Sequence, residues 1–203
     1  MYHTGMLDVN TYYALDENTK KGFIVDPGGY DISLSGKIKE DGAAIEYILL
    51  THGHSDHTGG VKAFQEDFPE AKVVAGALEK EMLADPVMNF SDYFGEEIVI
   101  SPDIFVNDGD TLLLGELELK FFHTPGHSPG GICILVEDCL FSGDTIFRQS
   151  IGRTDFEGSS FKALEKSIKE KLYVLPDETK VYPGHMGETG IGFEKRNNPF
   201  VRY

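Results

Sequence analysis

Thr51-His52-Gly53-His54-Ser55-Asp56-His57 places three histidines and one aspartate within seven consecutive residues. The apolar run from Ile45 to Leu50 comes directly before this segment and predicts a buried strand. Imidazole nitrogens and carboxylate oxygens are the ligand atoms that suit zinc and its first-row neighbours. The segment therefore predicts a metal site at the point where a strand leaves its sheet.

Four further candidate ligands lie in short segments that also contain glycine, proline or serine. His123 and His127 belong to residues 123–127 (HTPGH), Asp144 to residues 142–145 (SGDT) and His185 to residues 183–185 (PGH). Each segment follows a predicted strand, and loops on a rigid scaffold are where functional sites are built. His3 is the one histidine outside these segments.

The candidate ligands predict a centre for two divalent ions. They divide into His52, His54 and His127 for one ion, Asp56, His57 and His185 for the other, and Asp144 as a bridge between them. A closed structural zinc site favours cysteine ligands, whereas a catalytic site keeps an open position. Two close ions would lower the pKa of a shared water and polarise a carbonyl, which favours hydrolysis. We also predict catalytic roles for Asp56 and Asp144. The predicted metal is zinc, with iron or manganese as alternatives.

The bulk composition narrows the class of partner. The chain has 203 residues and no linker-like stretch, so we predict one domain over residues 1–203. Its formal net charge of -16 argues against nucleic acid or an anionic membrane as a partner and leaves a small-molecule substrate. The start of the chain lacks the features of a signal peptide, which makes the cytoplasm the expected location. The oligomeric state stays open.

The two cysteines are predicted to be free. Cys133 and Cys139 lie in a predicted hairpin with a two-residue turn at residues 137–138, which places their side chains on opposite faces of the ribbon. His3 and His123 are interpreted as ordinary structural residues, with an orienting role beside a ligand as the alternative for His123.

The order of predicted elements indicates a mixed α/β (α+β) fold in which two sheets pack together under helices. The predicted strands cover about residues 9–15, 22–25, 45–50, 72–75, 111–114, 117–122, 131–136, 139–142 and 180–182. The predicted helices cover about residues 32–39, 59–67, 77–83 and 160–172. Residues 85–102 are predicted to be irregular, as either a flap over the site or a connector packed on the sandwich.

The four motifs at residues 51–57, 123–130, 142–145 and 182–185 resemble the metallo-β-lactamase superfamily, and within it the glyoxalase II group, the hydroxyacylglutathione hydrolases. The resemblance runs from about Asn10 to Arg202. It implies a four-layer αββα sandwich with the metal site at the sheet edges, the ligand assignment above, and hydrolysis of a thioester of the S-(2-hydroxyacyl)glutathione type. Within the glyoxalase II group, the sequence resembles a short, single-domain subgroup.

Three positions are interpreted through this resemblance. Arg153 falls where the longer enzymes have a glutathione-contacting lysine, so we predict that it binds substrate, with a solvated loop charge as the alternative. Phe156 replaces a tyrosine of those enzymes, which removes one hydroxyl contact. Asp26 is interpreted as a turn residue or a neighbour of the ligands, and not as a ligand.

Rival functions remain open on the sequence. Residues 152–156 also resemble persulfide dioxygenases, which would use one iron held by His52, His127 and Asp144. The same metal pair could open a lactone or β-lactam ring. A binding module that keeps the fold without turnover is the third reading, and the complete ligand set disfavours it.

Overall fold

The computed structural model describes residues 1–203 and contains two six-stranded sheets. The first half of the chain builds one sheet, in which the strands lie in chain order: β1 (Tyr2–Thr4), β2 (Val9–Leu15), β3 (Lys21–Val25), β4 (Ala44–Leu50), β5 (Lys72–Gly76) and β6 (Ile104–Val106). Strands β3 to β6 run parallel to one another. We call this sheet one.

The second half of the chain builds sheet two and a small hairpin. Its strands are β7 (Thr111–Leu114), β8 (Leu117–His123), β9 (Ile132–Val136), β10 (Cys139–Gly143), β11 (Ile146–Phe147), β12 (Ser150–Ile151), β13 (Lys180–Pro183) and β14 (Thr189–Gly190). Sheet two has the order β14-β13-β10-β9-β8-β7, and β11 pairs only with β12.

The helices are α1 (Ile32–Glu40), α2 (Ser55–Thr58), α3 (Val61–Asp67), α4 (Lys80–Ala84), α5 (Phe161–Ser167) and α6 (Ile191–Asn197). Side chains cap two of them: Asp31 accepts from the first turn of α1, and Ser160 accepts from the first turn of α5. A π-helical turn, Ile168–Leu172, continues α5. None of these helices is both long and apolar enough to cross a membrane.

Three buried clusters stack as the layers of a sandwich. The central cluster lies between the sheets and includes Leu49 and Phe121. A second cluster, with Ile48 and Leu50, lies between sheet one and α1, α3 and α4, and a third, with Leu164, lies between sheet two and α5. Strand β4 is apolar on both faces because it is covered on both sides. The predicted αββα sandwich is confirmed.

Most predicted elements are confirmed within one or two residues, and the errors concern short ones. The strand predicted at residues 180–182 is not the last element, because β14 and α6 follow it. Strands β1, β6, β11 and β12 are also missing from the prediction; each has two or three residues, too few to show a periodicity. The cysteine hairpin is confirmed: Cys139 pairs with Val136, and both thiols are free.

Candidate metal centre

The seven predicted ligands converge at one end of the sandwich. Their ligand atoms form three overlapping groups, each with all atoms within 4.8 Å of one another: His52, His54 and His127; His52, His57 and Asp144; Asp56, His57 and His185. We call the first group the first ligand set and the third group the second ligand set. These sets correspond to the division made from the sequence.

Asp144 lies between the two ligand sets. One carboxylate oxygen, Oδ1, is 3.4 Å from Nε2 of His57, and the other, Oδ2, is 3.5 Å from Nε2 of His127. Nε2 of His185 is 3.8 Å from Oδ2 as well. A carboxylate in this position can offer one oxygen to each side of a dinuclear centre.

The loop after β4 carries four of the ligands. Its backbone is extended at His54 and then turns into the single turn of α2, which presents Asp56 and His57. The backbone N–H of Ser55 donates to the carbonyl of Asn89 at 2.8 Å. Gly28 lies so close beneath this loop that a Cβ there would be 2.0 Å from the carbonyl oxygen of Asp56, so only glycine allows the contact.

The loops of sheet two complete the centre. The ring of His127 is oriented by a hydrogen bond from Nδ1 to the carbonyl of Arg153 at 2.9 Å. Gly184 precedes His185, and a Cβ on it would be 2.5 Å from Oδ1 of Asp144 and 2.6 Å from the ring of His57. The absence of a side chain at Gly184 therefore lets ligands from both sheets approach one another.

Unpaired buried atoms show that these residues fit a metal ion. Nε2 of His52, Nε2 of His57 and Oδ1 of Asp144 are buried and have no hydrogen-bond partner. Buried polar atoms are nearly always paired, because leaving one unpaired costs about 1–3 kcal/mol. The three orphaned atoms belong to one group within 4.8 Å, as expected of atoms arranged to face a cation.

The histidines differ in charge according to their neighbours. Burial lowers the pKa of His52 well below its usual value and that of His54 to about 3, so both imidazoles are neutral and can donate a lone pair. Burial opposes the charge of His57 too, but Asp56 and Asp144 outweigh it and raise the pKa of His57 to about 10. A metal ion must displace that proton to bind His57.

Asp26 holds two parts of the ligand loop together. It is buried in the left-handed region at φ +48°, and Oδ2 accepts from the Thr51 hydroxyl at 2.6 Å and from Nδ1 of His57 at 2.9 Å. Oδ1 accepts from the Thr51 backbone N–H at 2.8 Å. Asp26 is therefore a neighbour of the ligands that fixes the orientation of His57, which is one of the two roles that the sequence left open for it.

Glu79 is a supporting residue that the sequence did not indicate. Its side chain is fully buried, and its two oxygens accept from the backbone N–H groups of Gly53 at 2.6 Å and Gly130 at 2.7 Å. Gly53 lies between two ligands of the first set, and Gly130 lies in the loop that carries His127. One carboxylate therefore joins the two loops that supply the first ligand set.

Asn10 has the corresponding role beside the second ligand set. Its buried amide donates to the carbonyls of Pro183 at 2.9 Å and Met186 at 2.8 Å, one on each side of His185. Asn10 lies in β2 of sheet one, and His185 lies in the loop that follows β13 of sheet two. The sequence did not indicate this role, because the partners of Asn10 lie at the other end of the chain.

The remaining predicted residues lie outside the ligand cluster. Arg153 is exposed at the cavity rim, makes a two-pronged ion pair with Asp155 at 2.8 and 2.9 Å, and stacks 4.3 Å above the ring of Phe156. His123 approaches the carbonyl of Pro129 at 2.9 Å and so supports the loop of His127. His3 is exposed on edge strand β1.

A cavity of about 540 Å³ opens over the ligands, a size typical of a small-molecule site. Its lining includes four phenylalanines, one tyrosine and a single arginine: Phe90, Phe94, Phe147, Phe156, Tyr93 and Arg153. Phe90, Tyr93 and Phe94 come from residues 85–102. This segment is therefore a wall of the cavity.

Comparisons with known proteins identify the family of the chain. The sequence profile of the metallo-β-lactamase superfamily matches residues 4–185. Hydroxyacylglutathione hydrolase GloC of Haemophilus influenzae is 35% identical, over 91% of this chain and 89% of that protein. The crystal structure of the BLEG-1 B3 metallo-β-lactamase has a TM-score of 0.91 and 37% identity, covering 98% of this chain and 97% of that one. The structure of TTHA1623 in a di-iron-bound form has a TM-score of 0.85 and 33% identity, covering 98% of both chains.

The chain belongs to the metallo-β-lactamase superfamily. Its ligand cluster and its hydrolase relative identify it more closely as a metal-dependent hydrolase of that superfamily.

Proposed function

We propose that this chain hydrolyses thioesters of the S-(2-hydroxyacyl)glutathione type with two divalent ions, zinc by preference. The observation that carries the proposal is the pair of complete ligand sets with Asp144 between them. The first set would hold one ion and the second set the other. The GloC relative bears the name of this activity, which supports the choice of substrate.

The reaction needs an activated water and a stabilised oxyanion. Bound divalent ions supply Lewis-acid chemistry of this kind. Burial raises the pKa of Asp56, but His57 and His185 outweigh burial and hold that pKa well below its usual range. The carboxylate is therefore ionised and can accept a hydrogen bond from water. Asp144 borders the same cavity.

Overall, the oxygen of one water bonds to the carbonyl carbon, and the bond from that carbon to sulfur breaks. The electron pair leaves with sulfur as a thiolate, whose conjugate acid has a pKa of about 8.5, so departure needs little help from a general acid. The acid product and the thiol carry the two hydrogens of the water. A serine or cysteine nucleophile is not required.

β-Lactam hydrolysis is a second candidate function, favoured by the likeness to the BLEG-1 B3 metallo-β-lactamase across nearly the whole chain. The single-iron dioxygenase reading is less favoured. A single iron would leave the second ligand set without a role. Asp56, His57 and His185 lie together, and two of them are largely buried, which favours a second ion.

Three assays on one purified sample test the proposal: cleavage of S-lactoylglutathione, cleavage of a chromogenic cephalosporin, and oxygen uptake with glutathione persulfide. We expect the zinc-loaded protein to cleave the thioester fastest, and Asp144→Asn to lower that rate at least about 100-fold through weakened metal binding. Asp138→Asn, which changes an exposed aspartate paired with Lys180, is the matched control. Faster oxygen uptake by the iron-loaded protein, or faster cephalosporin cleavage, would overturn the proposal.

A further inference from the structure

Two aromatic rings stand directly beside the ligand histidines. The ring centroids of Phe90 and Phe156 are 5.0 Å apart, and they lie 5.0 Å and 5.4 Å from the ring of His54. Phe156 is also 5.8 Å from the ring of His127. We call Phe90 and Phe156 the inner aromatic pair. Any group that rests on this pair is also next to His54 and His127 of the first ligand set.

The inner aromatic pair is not part of the hydrophobic core of the protein. Neither ring belongs to any of the three hydrophobic clusters, and both are half-buried and face the cavity. Phe90 has a φ of +66°, a conformation that is unfavourable for a bulky residue. The chain therefore keeps a large ring at a strained position where it lines the cavity.

The segment that carries Phe90 is fixed on both sides of it. Asn89 is buried, donates from Nδ2 to the carbonyl of Ile98 at 2.8 Å and accepts from Ser55 through its own carbonyl. Ser91 is buried too, and its hydroxyl accepts from the Ile98 N–H at 3.0 Å. These bonds fix the backbone on both sides of Phe90, so the segment that presents its ring to the cavity is positioned by the protein itself.

The cavity offers no free positive side chain for a charged group. Arg153 is its single lysine or arginine, and both prongs of its guanidinium are engaged by Asp155. Arg153 and Asp155 are each 67% exposed and stand at the rim. A charged thiol carrier therefore belongs at this rim, in contact with water, and the inner aromatic pair is left for the acyl group.

We propose that the inner aromatic pair binds the acyl group of the substrate, and that the enzyme prefers thioesters with an apolar acyl group the size of a phenyl ring. This inference rests on the proposed thioester hydrolysis and specifies its substrate class. Within the 2-hydroxyacyl series, it places the phenyl ring of a mandeloyl group against Phe90 and Phe156. The small methyl group of a lactoyl thioester would leave these rings partly uncovered.

S-Mandeloylglutathione and S-lactoylglutathione form a matched pair for the test, because they differ only in phenyl against methyl. We expect kcat/KM of the zinc-loaded protein to be about tenfold higher for the mandeloyl thioester, as partial burial of one ring suggests. Phe90→Ala and Phe156→Ala should each bring the ratio of the two values close to one. Phe200→Ala removes a 52%-exposed ring that does not line the cavity and should leave the ratio unchanged.

Binding of the acid products gives a readout that does not depend on turnover. Calorimetric titration of the zinc-loaded protein should show mandelate binding about tenfold more tightly than lactate, with a more negative heat capacity change from apolar burial. Both differences should disappear in Phe156→Ala. This variant decides the question if Phe90→Ala unfolds, and melting temperatures identify that case.

The outcomes separate this inference from the proposed function. Failure to cleave either thioester would overturn thioester hydrolysis itself. Cleavage of both at equal rates, or a mandeloyl preference that survives in both phenylalanine variants, would overturn only the acyl site. An S-lactoyl thioester of benzyl thiol carries the phenyl ring on the other side of the carbonyl. If kcat/KM for this compound exceeded that for S-lactoylglutathione by the same factor, the aromatic contact would belong to the thiol, which would refute the proposal.

Discussion

Replacement of Glu79 by glutamine changes one oxygen into an NH₂ group and leaves the shape of the side chain intact. The carboxylate accepts one backbone N–H on each oxygen, at 2.6 and 2.7 Å. A glutamine has a single acceptor oxygen, so either Gly53 or Gly130 must then face a second donor. We expect Glu79→Gln to loosen the connection between the two loops that carry the first ligand set.

The size of the effect follows from two opposing contributions. A buried N–H left without an acceptor costs about 1–3 kcal/mol. Burial raises the pKa of Glu79, which means that the charge is costly to bury, so removing it returns part of that loss. We expect a net loss of about 1–2 kcal/mol, which lowers the melting temperature of a chain of this length by roughly 2–8 °C.

The sharper consequence concerns the metal. Replacing a residue that supports metal ligands typically weakens binding about 10–100-fold. For Glu79→Gln this loss should fall on one of the two ions of the proposed centre, because the carboxylate braces only the first ligand set. Titration with Co²⁺, followed by its visible spectrum and by competition with a chelator, resolves the two binding steps.

Glu81→Gln is the control, since Glu81 is an exposed acid in α4, the helix that begins directly after Glu79. Equal weakening of both Co²⁺ steps, or a lower melting temperature with both affinities intact, would refute the reasoning.

Three further results are expected. Asn10→Ala should weaken the other Co²⁺ step, because Asn10 braces the loop of His185; loss at the step that Glu79 controls would contradict this. In metal-free protein, burial lowers the pKa of His57, but neighbouring carboxylates outweigh burial and raise it to about 10. The stabilisation from protonated His57 is therefore fully present below about pH 6.5 and is lost as the pH rises toward 10. The melting temperature of chelator-treated protein should therefore fall between pH 7 and 9.5, and a flat profile would refute the assignment. Burial raises the pKa of Cys133 to about 11, so mass spectrometry after native alkylation should find Cys139 modified and Cys133 intact.

The candidate ligand residues could be picked out from the sequence because most of them are histidines, a rare residue type, beside strong loop formers. His52, His127 and His185 all lie where apolar runs give way to glycine or proline, and this pattern is visible in a single sequence. The sheets were predictable from local pattern as well: β9 is a continuous apolar run, and β4 is interrupted only by Glu46. Features that depend on local pattern were therefore predictable from the chain alone.

The supporting residues were out of reach because their partners are distant along the chain. Glu79 lies 26 residues from Gly53 and 51 from Gly130, and Asn10 lies 173 residues from Pro183. In the sequence, Glu79 is one of 34 acidic residues, and its place in a predicted helix does not distinguish it from the others. Its burial becomes visible only when two loops from different sheets meet above it.

The division of the chain between the sheets has a practical consequence. Every strand of sheet one ends by Val106, and every strand of sheet two begins at or after Thr111. A cut between these residues would yield two polypeptides with four ligands on one and three on the other. Binding of divalent ions by ligands from both fragments would then favour their reassociation. Recovery of enzymatic activity would measure how completely the fragments reassociate.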